Sequence, residues 1–324
     1  MYDFIFRFDA NDSVGAGHFQ RAFALIEKLI DKKHRIACVG DISFMFQASL
    51  NIQRIKTFKV GEAISCHCLV IDHYGEVEEL LDGDLHFSKL ILFEDMDERS
   101  HSLPVLVVNA LGDKNCLDKR FPNSEIITGL DYFLFRKDVE KLKKIVDKKV
   151  INPQKISSIL ISLGGTDQRS VLKRICSVLV NMVDPSVNIV VLSSLPVSLP
   201  SGIDVIVGYD PEFLQKALNF DLVICGAGQT LLELIYLKQS PIGIVLADNQ
   251  KPCGELLHSY DAKVIFPEDD LKESLMRYLN LANSSLEVVQ VNGAAVESKK
   301  LNRLGRIMSS NSDNLVNKLV SYLS

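Results

Sequence analysis

The chain is 324 residues long, with 47% hydrophobic and 24% charged residues, an ordinary globular composition and more chain than one core usually serves, so two domains are expected. A formal net charge of −5 argues against a phosphate-backbone binder, and no nucleic-acid partner is expected. The seven cysteines are odd in number and scattered through apolar runs, which is free-thiol usage in a reducing compartment. Met1 to Phe6 reads as a strand rather than a secretory signal, and no apolar run is long enough to span a bilayer, so a cytoplasmic protein without membrane insertion is expected.

Short β-branched runs alternate with helical patterns. Phe4 to Phe8 reads as a strand, followed by a helix from about His18 to Lys32 with Ala22, Leu25, Ile26 and Leu29 on one stripe. Arg35 to Val39, Cys68 to Ile71, Leu90 to Phe93 and Val105 to Val108 are near-continuous apolar runs, as expected of parallel strands covered on both faces. The pattern pauses over Lys137 to Lys155, a charged helix running into Asn152-Pro153, which reads as the domain boundary. It then restarts at Ile159 to Leu163, with a helix from about Asp167 to Val183. Further strands are expected at Ile189 to Leu192, Val205 to Val207, Leu222 to Cys225 and Ile242 to Leu246, with a helix over Leu231 to Leu237. Two such arrays predict an α/β protein of two Rossmann-like doubly wound domains, residues 1–150 and 155–324, the second ending in a helical tail.

In open parallel sheets ligands bind beyond the carboxyl ends of the strands, and unusual residues collect there in both halves. Arg7-Phe8-Asp9 runs into Gly15-Ala16-Gly17-His18-Phe19-Gln20-Arg21, where glycines permit close backbone approach and a helix N-terminus offers unpaired amides. At that N-terminus a neutral His18 is favoured over imidazolium. The third position of a dinucleotide fingerprint is Gln20 rather than glycine, and the Gly226, Gly228 loop also fails it, so a Rossmann dehydrogenase is not favoured. Asp72-His73-Tyr74-Gly75 and Glu94-Asp95 follow two further strands; capping and solvated loops are the structural alternatives. In the second half Gly164-Gly165-Thr166-Asp167 suits an anion at a helix start, and Gly226 to Thr230 opens a helix carrying Glu233, with Asn249 and Gln250 past the next strand. Cys66-His67-Cys68 is a poor metal site, because His67 points away from its neighbours on a strand.

Taken in order, Arg7-x-Asp9, Gly15-x-Gly17-His18-x-x-Arg21, Asp72-His73-Tyr74, Gly164-Gly165-Thr166-Asp167, Gly226-x-Gly228-x-Thr230-x-x-Glu233 and Asn249-Gln250 resemble the PseG family. These are UDP-2,4-diacetamido-2,4,6-trideoxy-β-L-altropyranose hydrolases of pseudaminic acid biosynthesis, with spore-coat SpsG relatives. The resemblance spans residues 1 to about 265. It implies a glycosyltransferase-B-like pair of domains with a cleft between them, similar to the MurG transferase, and a UDP-sugar held without metal or cofactor. It implies hydrolysis at the anomeric carbon with inversion. His18 would be the base, with Tyr74 and Asn249 as further catalytic residues. Arg7, Asp9, Gly15, Gly17, Arg21, Asp95, Gly165, Thr166, Gly226, Gly228, Gln229, Thr230, Glu233 and Gln250 would bind substrate. Either Asp9 or Asp95 is expected to orient the imidazole. Two features depart from the family: Glu94-Asp95 stands where an Asp pair is usual, and the tail beyond residue 265 is longer. The alternatives are a glycosyltransferase that passes the sugar from a UDP donor to a sugar or lipid acceptor, and a non-catalytic nucleotide-sugar-binding protein.

Overall fold

The computed structural model describes residues 1–11, 14, 17–75, 77, 81, 85–95, 99–100, 102–148, 156–164, 168–208, 210, 212–287, 299–309 and 313–323. In the first half β1 (Tyr2–Arg7) leads into α1 (Gly17–Asp31), β2 (Ile36–Val39), α2 (Phe44–Ile52), β3 (Lys56–Phe58) and β4 (Ile64–Ile71). Then come β5 (Leu85–His86), β6 (Lys89–Phe93), β7 (Leu106–Asn109), α3 (Lys114–Arg120) and β8 (Glu125–Thr128). Seven strands lie in the order β3-β2-β1-β4-β6-β7-β8, all parallel, with β5 paired to β4 off that path. The strand order reverses between β1 and β4, which places a ligand crevice at the carboxyl ends of those two strands.

Strand alternation explains the apolar runs. Phe4, Phe6, Cys68, Val70, Ile91 and Phe93 bury on one face under α1, and Ile5, Leu69, Ile71, Leu92 and Val107 on the other against Leu117 and Phe121. In β4 the same alternation leaves His67 exposed between buried Cys66 and Cys68.

The second half contains α4 (Lys137–Val146), β9 (Ser158–Ser162), α5 (Arg169–Val180), β10 (Asn188–Ser193), β11 (Ile203–Val207) and α6 (Phe213–Ala217). It continues through β12 (Leu222–Gly226), α7 (Gln229–Tyr236), β13 (Ile242–Ile244), α8 (Lys251–Ser259), β14 (Lys263–Ile265) and α9 (Leu271–Glu287). Its six parallel strands follow β11-β10-β9-β12-β13-β14, with the reversal between β9 and β12. Both sheets are therefore doubly wound, and the fold class is that of two Rossmann-like domains. No helix among the described residues is long and apolar enough to cross a membrane.

The division of the chain differs from the expected 1–150 and 155–324. One compact unit is 1–137 with 307–324, and the other is 138–306. The charged helix α4 belongs to the second unit, where Lys143 sits over the Tyr236 ring at 5.1 Å and Asp147 pairs with Lys238 at 2.8 Å. After α10 (Lys299–Ser309) the chain ends in α11 (Asn314–Leu323), whose Leu315, Val316 and Leu319 bury in the core of the first unit. Each such side chain contributes about 1.5–3 kcal/mol, which outweighs continuity along the chain. Lys28 with Asp313, and Lys318 with Glu125, flank that contact.

Candidate active site

The first unit concentrates its charges at the β1–β4 crevice. His18 lies in the first turn of α1 and is 4% exposed, one helical turn before Arg21, so both side chains project to one side. The parallel register Phe6↔Val70 and Arg7↔Ile71 brings Asp72, just past β4, against that helix start. Asp72 Oδ1 lies 2.5 Å from His18 Nδ1, and Arg21 grips the same carboxylate through Nε (2.7 Å) and Nη2 (2.5 Å). Burial would push the Asp72 carboxyl up, but the charge and hydrogen bonds of Arg21, with the bond to His18, outweigh it and hold it at about 2. An ionised carboxylate can only accept, so the imidazole proton is on Nδ1 and the Nε2 lone pair is left bare. Among the described residues, His18 Nε2 is the one buried side-chain nitrogen or oxygen without a partner. The Tyr74 ring stands edge-on to the imidazole, 4.3 Å between centroids, and is 42% exposed.

This geometry corrects the orienting acid. Asp9 accepts from Arg7 at 2.6 Å, from His73 Nε2 at 2.8 Å and from the Asp41 amide at 2.8 Å. Burial opposes ionisation of Asp9, but these donors win and hold its carboxyl well below the usual range. Asp95 pairs with Arg21 Nη1 at 2.6 Å. Both acids are engaged elsewhere, and Asp72 holds His18. His73 takes the opposite tautomer to His18: its Nδ1 accepts from the Gly75 amide at 2.8 Å, which leaves the proton on Nε2 for Asp9. Arg7 and Arg21 likewise bond to these carboxylates. Gly17 opens α1, and a Cβ there would meet nothing within 4 Å; Gly15 and His101 lie outside the described residues.

Two supports carried no sequence signal. A Cβ on Gly40, at φ +155°, would come within 1.7 Å of the Phe8 carbonyl oxygen and 2.9 Å of Asp9 Oδ1, so only glycine lets β2 end beside Asp9. Glu94, fully buried, accepts from Arg99 Nε at 2.7 Å, and Arg99 Nη1 donates to the carbonyls of His73 (2.6 Å) and Gly75 (2.8 Å). Arg99 thereby ties down the turn that carries Tyr74.

The second unit is built differently. Gly226 ends β12, and Gly228 precedes α7 with an extended backbone. A Cβ on Gly226 would lie 3.3 Å from the Leu163 carbonyl oxygen and 3.6 Å from Gln250 Nε2. Gln250 Oε1 accepts from the Leu246 amide at 2.9 Å, which turns its NH2 group toward the glycine loop. Gln229 Nε2 donates to Glu233 Oε1 at 3.1 Å; Glu233 is 3% exposed, Thr230 half-buried and Asn249 exposed. Gly164 stands at φ +98°, a left-handed position that favours glycine, beside a shallow cavity bordered by Gln168, Arg169, Ser193 and Ser194. Gly165 and Thr166 lie outside the described residues. Gly226, Gly228, Gln229, Thr230 and Gln250 thus cluster at the β12 end of the second reversal, where backbone amides and neutral donors face outward.

No family model matches the chain, and no curated protein is similar to it in sequence. Solved structures are similar over the whole length. The fold is glycosyltransferase-B. The spinosyn forosaminyltransferase SpnP superposes with a TM-score of 0.62 at 12% identity, covering 99% of each chain. MurG of Acinetobacter baumannii gives 0.54 at 13% identity, over 99% of this chain and 98% of that one. Anabaena HepE, solved in complex with UDP and glucose, gives 0.60 at 12% identity, over 99% of this chain and all of the other. A glycosyltransferase-B fold accounts for two separate doubly wound units, each with its own strand-end crevice.

Proposed function

We propose that this chain is an enzyme that binds a UDP-sugar and breaks its anomeric C–O bond by inverting displacement, with His18 as general base. The observation that supports this best is the bare Nε2 of His18, buried at a strand-order reversal with its other nitrogen committed to Asp72. In the reaction a hydroxyl oxygen attacks the anomeric carbon on the face opposite UDP. The bond from that carbon to the diphosphate oxygen breaks, its electron pair leaves with UDP, and the hydroxyl proton passes to His18 Nε2. Asp72 then faces an imidazolium that it is already hydrogen-bonded to, which lowers the cost of that charge. Tyr74 packs against the ring and limits its rotation.

The second unit would hold UDP. The amides at Gly226 and Gly228, the start of α7 and the Gln250 NH2 suit a diphosphate without a metal, and Glu233, braced by Gln229, suits ribose hydroxyls. Asn249, exposed next to Gln250, would face the sugar-diphosphate. UDP and glucose in HepE are in keeping with this assignment.

Water as the attacking hydroxyl rests on the order of motifs around His18 and Tyr74, and makes the chain a hydrolase of a UDP-2,4-diacetamido-2,4,6-trideoxy sugar. A sugar or lipid hydroxyl makes it a transferase, and the transferases among the similar structures favour that second reading more directly. Incubation with UDP-2,4-diacetamido-2,4,6-trideoxy-hexoses, following UDP release and anomer formation by NMR, separates them. UDP release without acceptor and with inversion supports the hydrolase; a strict need for acceptor supports the transferase; retention sinks the mechanism. The His18→Asn variant should lose turnover by about 10²–10⁴-fold while UDP affinity stays within a few-fold. Unchanged turnover would sink His18 as the base, and UDP binding without turnover in the parent would leave only a binding protein.

A further inference from the structure

We infer that Arg21 is a positioning residue: it holds the Asp72 carboxylate in register with His18 Nδ1 and compensates that carboxylate's charge. The inference rests on the reading of His18 as general base and assigns Arg21 a role other than the substrate contact suggested by the sequence.

All three nitrogens of the Arg21 guanidinium are engaged. Its Nε–Nη2 edge forms a two-bond fork on Asp72, its Nη1 pairs with Asp95, and its face lies 5.0 Å from the centroid of the Phe93 ring. Burial disfavours the guanidinium charge, but Asp72 and Asp95 together raise its proton affinity well beyond that of a free arginine. A cation held in this way has its Nε–Nη2 fork on Asp72. It has a direct effect on His18, because both residues share Asp72 Oδ1.

Among the described residues, the groups that face His18 are few. Asp72 and Tyr74 come from the turn after β4, Arg21 from the same helix one turn later, and Asp95, through Arg21, from the loop after β6. The neighbouring Arg7, Asp9 and His73 are bonded to one another. An isolated carboxylate beside an imidazole favours imidazolium, which is useless as a base. Here two acids stand against one arginine, so removing Arg21 leaves two uncompensated carboxylates next to the ring. Removing Asp95 alone leaves Asp72 and Arg21 balanced.

The test compares the parent with Arg21→Gln, Arg21→Lys and Asp95→Asn. The ring-proton resonance of His18 is assigned by its loss in His18→Asn and followed over pH, with no substrate present. In Arg21→Gln its titration midpoint should rise by about one pH unit, the low end of the effect of a nearby charge. The acid limb of the UDP-release profile should rise with it. Arg21→Lys retains the charge and should keep the midpoint within a few tenths of the parent; Asp95→Asn should lower it slightly. An unchanged midpoint in folded Arg21→Gln, or an equal rise in Arg21→Lys, overturns the inference. Should Arg21→Gln not fold, a rise in Asp95→Asn overturns it instead. The resonance reads Arg21 without turnover, whereas normal turnover in His18→Asn defeats the base reading, so the two failures are distinct.

Discussion

The two strand-end crevices differ in how their polar groups are used. At the β1–β4 reversal Arg7, Asp9 and His73 bond to one another, as do Asp72, Arg21 and Asp95, and among the described residues His18 Nε2 is the one buried side-chain nitrogen or oxygen left without a partner. At the β9–β12 reversal the chain offers glycine backbone, two glutamine side chains and one buried glutamate, with no comparable web of charge among the described residues. A preset charge web suits proton transfer, because the groups that respond to the new charge are already oriented. Neutral donors on a glycine loop suit an anion that must bind and then leave, since they require little desolvation of charge. The contrast is in keeping with the proposed division of chemistry on one unit and holding on the other, and each prediction below strikes one side only.

The largest effect is expected from Asp72→Asn. It leaves Arg21 without its buried carboxylate partner, at about 3–5 kcal/mol in stability of the first unit. An asparagine NH2 can also donate to His18 Nδ1, which would shift the ring proton to Nε2 and remove the base. UDP release should fall by about 10²–10⁴-fold while UDP affinity is kept. Turnover near the parent level would mean that His18 does not depend on this acid.

Next in size is Leu319→Ala. Leu319 is fully buried in the core of the first unit, and truncation should cost about 2–5 kcal/mol. Hydrogen exchange should speed up in β1 and β4 and stay unchanged in β9 and β12. Equal loosening of both units would mean that the terminal helix does not belong to the first alone.

This helix also shows where sequence reasoning stops. Its amphipathic pattern reveals a buried stripe, but not which of two sheets covers it. Parallel strands were readable because both faces are buried and the runs are apolar throughout. The edge strand β3, Lys56-Thr57-Phe58, is short and largely polar and gave no such run. Helix α2 escaped for another reason: Phe46 and Leu50 face the core while Phe44 and Ile52 are 86% and 80% exposed, so no one-sided periodicity exists. At the site, the strand-end positions of His18, Tyr74 and the glycine loops were legible from strand–glycine–helix order. The partner of His18 was not. Asp9, Asp72 and Asp95 all follow strands, and the choice among them depends on β1 and β4 being neighbours in a particular register.

A pair of glycine substitutions probes the holding side. In Gly226→Ala the new Cβ would stand 3.3 Å from a fixed backbone oxygen, and about 1–3 kcal/mol should be lost by the second unit. In Gly228→Ala the new Cβ would make an ordinary contact at 3.9 Å from Gln250 Nε2, so stability should barely change. Both substitutions crowd the loop and should weaken UDP binding, read by calorimetry. Full UDP affinity in Gly228→Ala would remove the loop from the nucleotide site.

The smallest effect is invisible at neutral pH. The folded-state carboxyls of Asp72 and Asp9 are depressed, Asp72 to about 2, so each contributes stability that is fully present above the ordinary aspartate range. That contribution is lost as pH falls from about 4 toward 2, when protonation becomes easier in the unfolded chain than in the fold. Urea unfolding followed by exchange at β1 and β4 should therefore show the first unit weakening over that window. In Arg21→Gln the main group depressing Asp72 is gone and only His18 still lowers it against burial. Less of that stability is then present at neutral pH, and less is lost on acidification. The parent and the variant should thus converge in stability on acidification and diverge toward neutrality. Parallel curves would show that Arg21 does not control the charge of Asp72, and would blur the contrast between a charge-organised crevice and a neutral one.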